Sequence, residues 1–308
     1  MRGGALLAGP AGQAPAAGRH PRRTLGLLVP SASQVSPRVI AGVREVAARR
    51  GARLVVALTH DARPGDPEQL AELAAAGVRG LIVVGAEPHR LSAAVLGRLQ
   101  AGELPFLLAE YRPWDEFAAC ECVVVHHRQG AFAAVRHLAA VGHRGVGLLT
   151  AGGATGALVR EGHAEAVRRL GLVPGAPSVD LARDAVREKG RGEAYDRFLR
   201  ACRGSGTRAA LVHTDRDAIA LLRRMRAHGL RAPDDLAVVA YGDEIASLAD
   251  VPLTAVAPPQ RELGRLAAHL LLDRLAAGDP SAVPVRQLAL RPRLIVRASC
   301  GASGQVAG

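Results

Sequence analysis

Four acidic residues sit near one another in the chain: Asp215 and Asp217 after one apolar run, Asp243 and Glu244 after the next. Two such carboxylates could share acid and base work, one holding a proton and the other taking one. Capping already accounts for acidic residues at helix starts and turns, so catalysis is not expected from them. The loop Thr150-Ala151-Gly152-Gly153-Ala154-Thr155-Gly156 lies between an apolar run and a helical pattern, where backbone amides could cradle a phosphate. Neither G-x-G-x-x-G nor G-x-x-x-x-G-K-S/T can be written onto it, and it reads as a plain loop. His126-His127 and the pair His137 and His143 lack the spacing of metal ligands and read as surface or helix-capping residues. Cys120, Cys122, Cys202 and Cys300 contain no Cys-x-x-Cys and read as free structural thiols. No G-x-S-x-G elbow occurs. The expectation is a protein without catalytic residues, metal or cofactor, and not an enzyme.

The acidic residues belong to the stretch Arg208 to Pro258, around which the chain is organised. Ala209 to Val212 is a short apolar run ending at His213, Thr214 and Asp215. A helix follows, with Thr214 or Asp215 as N-cap and Gly229 at C′. Ala218, Leu222 and Met225 share one face, with Ile219 beside them. Pro233 and two aspartates turn the chain into a second apolar run, Leu236 to Tyr241. Strand–helix–strand units build parallel sheets that bind ligands at the carboxyl ends of their strands. The same alternation runs upstream. Strands are expected at Thr24–Val29, Leu54–Leu58, Gly80–Val84 and Pro105–Ala109, and helices at Val35–Arg50, Pro67–Ala76 (Asp66 as N-cap) and Leu91–Gln100. A short strand, Cys122–Val125, leads through His126-His127-Arg128 into a second series. There helices are expected at Gly130–Val141, Leu158–Leu170 and near Glu193–Cys202, with a strand at Gly145–Leu149. The class is α/β.

The run ending at Thr214-Asp215, its amphipathic helix, the segment Gly229-Leu230-Arg231-Ala232-Pro233-Asp234-Asp235-Leu236 and the later Pro252-Leu253-Thr254-Ala255-Val256 resemble one known pattern. It is the effector-binding core of the LacI/GalR (lactose-repressor) family of bacterial regulators, and the resemblance covers about Arg23 to Arg297. It implies two doubly wound parallel-sheet lobes with a central cleft, the periplasmic-binding-protein-like type I fold. The chain would cross between lobes three times. Residues 24–127 with about 253–278 would form the N-terminal lobe, residues 128–252 with about 284–297 the C-terminal lobe, and 298–308 a frayed end.

The resemblance also implies a small-molecule effector, a homodimer and sequence-specific transcription regulation. It points to Ser33, Arg160, Thr214, Asp215, Tyr241 and Asp243 as effector-binding positions. The match breaks in three places. The family's arginine three residues before a helical glycine is Val159 here, before Gly162, with Arg160 displaced by one; a one-residue shift turns a helical side chain by about 100°, enough to leave a cleft unless the loop rearranges. The family's Asn-Asp reads Thr214-Asp215, and its Tyr/Phe-Asp-Asp reads Tyr241-Gly242-Asp243. These changes argue against an ordinary monosaccharide, or for a loss of sensing. Asp215 and Asp243 keep the acidic character, either as ligand contacts or as cap and turn residues.

The formal charge of +12 over 308 residues invites a nucleic-acid reading, but the arginines are spread along almost every helix rather than gathered in a stripe. No apolar run approaches the ~20 residues of a membrane span, and a cytoplasmic protein is expected. Residues 1–23 are rich in glycine and proline and read as a flexible basic tail. The resembled regulators carry a helix-turn-helix head before the core, for which this tail has neither room nor pattern. The expectation is a core lacking its DNA-reading head, through truncation, a misplaced start or evolution. Arg19, Arg22 and Arg23 could then give only weak, salt-sensitive attraction to DNA. A head-less small-molecule-binding protein, or an exported solute-binding protein of the same fold, are the alternatives.

Overall fold

Short polar side chains and prolines start the first helices, and apolar runs supply the strands between them. The coordinates are a computed structural model describing residues 23–29, 36–59, 66–85, 90–102, 104–113, 115, 117–182, 190–277 and 283–302. Strand β1 (Thr24–Val29) precedes helix α1 (Pro37–Arg49), where Ser36 Oγ accepts the Arg38 N–H. Strand β2 (Arg53–Leu58) precedes α2 (Pro67–Ala75), capped by Asp66 on the Glu68 N–H. Strands β3 (Gly80–Val84) and β4 (Arg90–Leu91) lead to α3 (Ala93–Ala101), capped by Ser92. Such caps satisfy amides that the helix leaves open. Strands β5 (Phe106–Ala109), β6 (Arg112–Pro113) and β7 (Cys122–Val125) follow.

The second series consists of α4 (His127–Ala140), β8 (Gly147–Thr150), α5 (Gly153–Arg169), β9 (Ser178–Asp180), α6 (Arg191–Ser205), β10 (Ala209–His213), α7 (Asp215–Ala227), β11 (Ala237–Tyr241) and β12 (Thr254–Ala257). Helix α8 (Gln260–Ala276) and strands β13 (Gln287–Leu290) and β14 (Arg293–Ile295) end the series, before a 3-10 turn at Ala298–Cys300.

The chain divides into two compact units. The first runs through Val124 and resumes at Gln260–Leu290; the second is Val125–Pro259 with the chain from Arg291 on. The first holds a six-stranded sheet in the order β13-β7-β5-β3-β1-β2, the second one in the order β14-β12-β11-β10-β8-β9. In both, the strand opening the series lies between the second and third, the signature of a doubly wound sheet. The pairs along β2-β1-β3-β5-β7 and β9-β8-β10-β11-β12 are parallel, while β14 runs antiparallel to β12. Strands buried on both faces explain the unbroken apolar runs in β3, β10 and β11.

Two strands depart from the sequence expectation. β12 was expected in the first lobe, but it extends the second sheet with Val239, Ala240 and Tyr241 opposite Thr254, Ala255 and Val256. The chain leaves that sheet only after Pro258-Pro259, whose missing N–H groups cannot continue a ladder. β13 was expected in the second lobe but lies beside β7, where the Cys122 N–H donates to the Arg286 carbonyl at 3.1 Å. The third crossing therefore falls after Leu290.

Helix pairs cover one face of each sheet by approaching through glycine. A Cβ on Gly42 of α1 would fall 2.1 Å from the Arg261 carbonyl oxygen, and one on Gly264 of α8 would fall 2.1 Å from that of Val39. In the second unit, a Cβ on Gly162 of α5 would fall 2.2 Å from the Arg128 carbonyl oxygen of α4. Gly42→Leu should cost about 3 kcal/mol or more in chemical unfolding, since backbone cannot yield as a side chain does. Gly97→Ala, on α3 with nothing within 4 Å of the added carbon, should be neutral or stabilise by up to about 1 kcal/mol.

Candidate functional site

In the second unit α4 and α5 pack on one face of the sheet, and α6 and α7 on the other. The helix after β8 and the helix after β10 thus leave to opposite sides, although β8 and β10 are hydrogen-bonded neighbours. This is a topological switch point, where the diverging connections leave a crevice at the strands' carboxyl ends. The residues at that point are Thr150 and His213, which are register partners.

Gly152 and Gly153 turn the chain from β8 into α5 with φ of 83° and 72°. A Cβ on Gly152 would lie 2.4 Å from that of Ala182, so the turn requires glycine twice over. The expected loop through Gly156 is therefore shorter: Gly153 to Gly156 already form the first turn of α5. Val159 is fully buried against the sheet, as the helical phase requires. Arg160, expected to swing away, instead returns to the carboxyl edge. Its Nη2 donates to Thr150 Oγ1 at 3.2 Å and to Asp180 Oδ2 at 2.5 Å, while the Ala182 N–H holds Asp180 Oδ1 at 3.0 Å. A long side chain with a charged partner at the end of β9 offsets the one-residue rotation.

Beyond β10, Asp217 is buried and accepts four hydrogen bonds, from the Thr214 N–H and hydroxyl, the Tyr195 hydroxyl and Arg191 Nη1. Burial, and then the Asp217 carboxylate, raise the Tyr195 pKa. Asp215 Oδ2 accepts the N–H groups of Glu244 and Ile245 at 2.8 and 2.9 Å, fixing the loop after β11. Asp243 takes both nitrogens of the Arg297 fork at 2.8 and 3.1 Å, fastening the same loop to the segment after β14.

Tyr241 is 2 % exposed, and its hydroxyl lies 2.8 Å from His127 Nδ1. Of the surface or helix-capping roles expected for His126-His127, the pair takes the helix start, His126 at the N-cap and His127 as the first residue of α4, and His127 is buried. Arg160, Thr214 and Asp215 thus gather at one edge of the sheet, whereas Tyr241 and Asp243 are engaged inside the unit. Ser33, Arg19 and Arg22 lie outside the described residues; Arg23 opens them, its carbonyl accepting the Arg53 N–H.

Sequence reasoning gave no binding role to His213, read only as the polar end of an apolar run, or to Asp217, weighed for acid/base work and set aside as a cap, and it missed Asp180, Arg191 and Arg297. Asp180 carried no signal, because β9 is three residues long and shows no periodicity. His213 is buried, and its Nδ1 has no hydrogen-bond partner among the described residues. Burial and then His127 push its pKa down to about 4, against the pull of Asp217, Asp215 and Asp180. Among the described residues no cluster of His, Cys, Asp and Glu could hold a metal ion. The four cysteines are buried and unpaired; burial raises the thiols of Cys120, Cys122 and Cys202, while His137 and Thr254 hold that of Cys300 below the usual value despite its burial.

Residues 135–300 match the periplasmic binding protein-like domain model. The chain belongs to the periplasmic-binding-protein-like family. Its relatives are LacI-type transcriptional regulators. The arabinose metabolism transcriptional repressor of Geobacillus stearothermophilus is 28% identical over 290 residues, covering 90% of this chain and 76% of that protein. The transcriptional regulator CelR in complex with cellobiose superposes with a TM-score of 0.72 at 25% identity, over 91% of this chain and 86% of the other. The lac repressor dimer bound to operator and the anti-inducer ONPF gives 0.69 at 23% identity, over 90% and 93%, a likeness of fold.

The neutral state of His213 makes stability depend on pH. The unfolded chain takes up a proton near pH 6.5, whereas folded His213 does so only near pH 4. Stability from this group is therefore full above pH 6.5 and is lost as pH falls toward 4, by about 3 kcal/mol at ~1.4 kcal/mol per pH unit. Urea unfolding between pH 7 and pH 4.5 should be visibly less pH-dependent in His213→Asn than in the unaltered protein.

Proposed function

We propose that this chain is the effector-sensing core of a cytoplasmic LacI-type transcription regulator, not an enzyme, and that it acts as a homodimer. The observation carrying this reading is the β8–β10 switch point, where a crevice is expected at the strands' carboxyl ends and Arg160 and Thr214 stand with Thr150 and His213 buried beside them, in a chain whose relatives regulate transcription. Arg160 and Thr214 meet the effector, with His213 beside them. Asp215 and Asp243 act one step removed, by fixing the loop after β11. Binding would alter regulation by favouring one state of the protein over another, a difference in affinity between states. No helix among the described residues is long and apolar enough to cross a membrane.

A thermal-shift screen of sugars, sugar acids, nucleosides and amino acids tests the sensing role. A ligand at 100 times its Kd should stabilise the protein by about 2.7 kcal/mol, and Arg160→Gln should remove most of that gain. Hits indifferent to Arg160, or silence across all four sets, would refute effector sensing at this crevice.

The homodimer has its own support in β2, an edge strand on which Val56 and Leu58 are 40% and 54% exposed. Apolar side chains on an open edge invite a cover, and a second copy supplies one. Sedimentation equilibrium should give a dimer for the unaltered protein and a monomer for Leu58→Glu. An unaltered protein that stays monomeric at every concentration contradicts the assembly.

A further inference from the structure

The first unit carries a cavity of about 630 Å³ at the amino ends of β1, β3 and β5, within the roughly 300–1,000 Å³ of small-molecule sites. Its walls are aliphatic. Leu70 of α2 and Leu99 of α3 meet it on one face of the sheet, with Val78, Leu81 and Leu104 at the strand starts and Leu275 of α8 beyond. Gly102, which ends α3, keeps the cavity open. Its φ of -72° and ψ of 132° suit any residue, so glycine is not needed there for its backbone. A Cβ added to it would approach Leu70 Cδ1 at 3.3 Å, and a longer side chain would take up the space.

Two charged residues line the cavity among the described residues, and both are arginines, Arg23 and Arg79. Their backbones are fixed in the sheet: the Arg23 carbonyl accepts the Arg53 N–H, and the Arg79 N–H donates to the Thr24 carbonyl at 2.8 Å. Neither guanidinium makes a hydrogen bond or ion pair among the described residues. Helices α2 and α3 end at this edge, where arginines can serve the last carbonyls. Neither Arg23 nor Arg79 makes such a bond. Two donor forks therefore stand free beside an aliphatic hollow with no described carboxylate in its wall.

A second cavity of about 410 Å³ shares Leu99, Gly102, Leu104 and Pro105 with the first and continues along Phe106 and Val285. The pair makes a groove suited to an extended chain. Every described side chain in the first cavity's wall other than the two arginines is apolar, so a fitting ligand is polar at one end only. We propose that the amino edge of the first sheet binds a medium-chain aliphatic carboxylic acid, its chain against the leucines and its carboxylate at Arg23 and Arg79. A carboxylate accepts from a guanidinium fork through both oxygens, and an alkyl chain gains from apolar burial. The chain's own residues 1–22 contain no Asp or Glu and several arginines, the wrong charge for this rim. The site is separate from the effector reading, since no wall residue belongs to the second unit.

Methyl NMR of the full chain tests the proposal, with octanoate, 1-octanol and acetate as probes. Octanoate should shift the methyl resonances of Leu70, Leu81, Leu99 and Leu104 saturably. Octanol should bind about tenfold or more weakly, and acetate should leave these methyls unmoved. Arg79→Gln should bring octanoate down to the level of octanol. Ala74 lines the same wall from an exposed position of α2. Ala74→Glu should abolish octanoate binding and Ala74→Lys should strengthen it, both with the melting temperature kept. Arg200→Gln, an exposed arginine of the second unit, should change nothing, which excludes general attraction to a basic protein. Equal binding of octanoate and octanol, indifference to Arg79 and Ala74, or shifts confined to other methyls would overturn the proposal. Nuclear Overhauser contacts from Leu6 or Leu7 to the wall leucines would also overturn it, by placing the chain's own N-terminal segment in the cavity.

Discussion

The structure depends on one constraint of parallel sheets. Hydrogen-bonded neighbours β8 and β10 must send their following helices to opposite faces, because each face has room for its own pair. The ends of those two strands lie where the two helix pairs diverge, with Thr150 and His213 buried there against the first turn of α5. Thr150 and His213, side by side in register, are left with polar side chains at the edge of an apolar sheet. Everything polar nearby, from the glycine turn into α5 to the carboxylates after β10, is arranged around that point.

Close helix packing supports this arrangement from outside. Gly162 lets α5 approach the backbone of α4, just as Gly42 and Gly264 let α1 and α8 meet in the first unit. A helix held against backbone has little freedom to shift along its axis, so the first turn of α5 is fixed relative to the end of β8. The charged groups then add specificity. Asp215 and Asp217 are buried, which costs several kcal/mol for a carboxylate without partners, and each is supplied with donors from two or more residues. Those bonds tie α6, α7 and the loop after β11 to one another, so the edge of the sheet is rigid before any ligand arrives.

Loop and strand ends take opposite roles on the two sides of that point. Asp243 and Arg297 form a bidentate pair that belongs to the frame, and Tyr241 is spent on His127 beneath it. Arg160 lies half in solvent, with part of its fork unengaged. The same residue types that grip ligands elsewhere are thus divided here between holding the loop and facing outward, and only geometry distinguishes them.

Much of this was legible in the chain itself. Apolar runs of four to six residues alternating with amphipathic stretches determined the α/β class, and Asp66, Thr214 and Gly229 marked helix ends because caps are local chemistry. The segment from Arg208 to Tyr241 was read nearly residue for residue, since its strands are fully buried and its helix has one apolar face. Tertiary structure decided the rest. The sheet to which β12 and β13 belong depends on which open edge each strand meets, and a four-residue apolar strand fits either. Arg160 reaches the carboxyl edge because Asp180, twenty residues on, stands there to meet it, and His213 is buried beside Gly156 of another element with its Nδ1 unpartnered among the described residues. Hydrophobic periodicity is written along the chain; which polar groups find partners is set by contacts between residues distant in sequence.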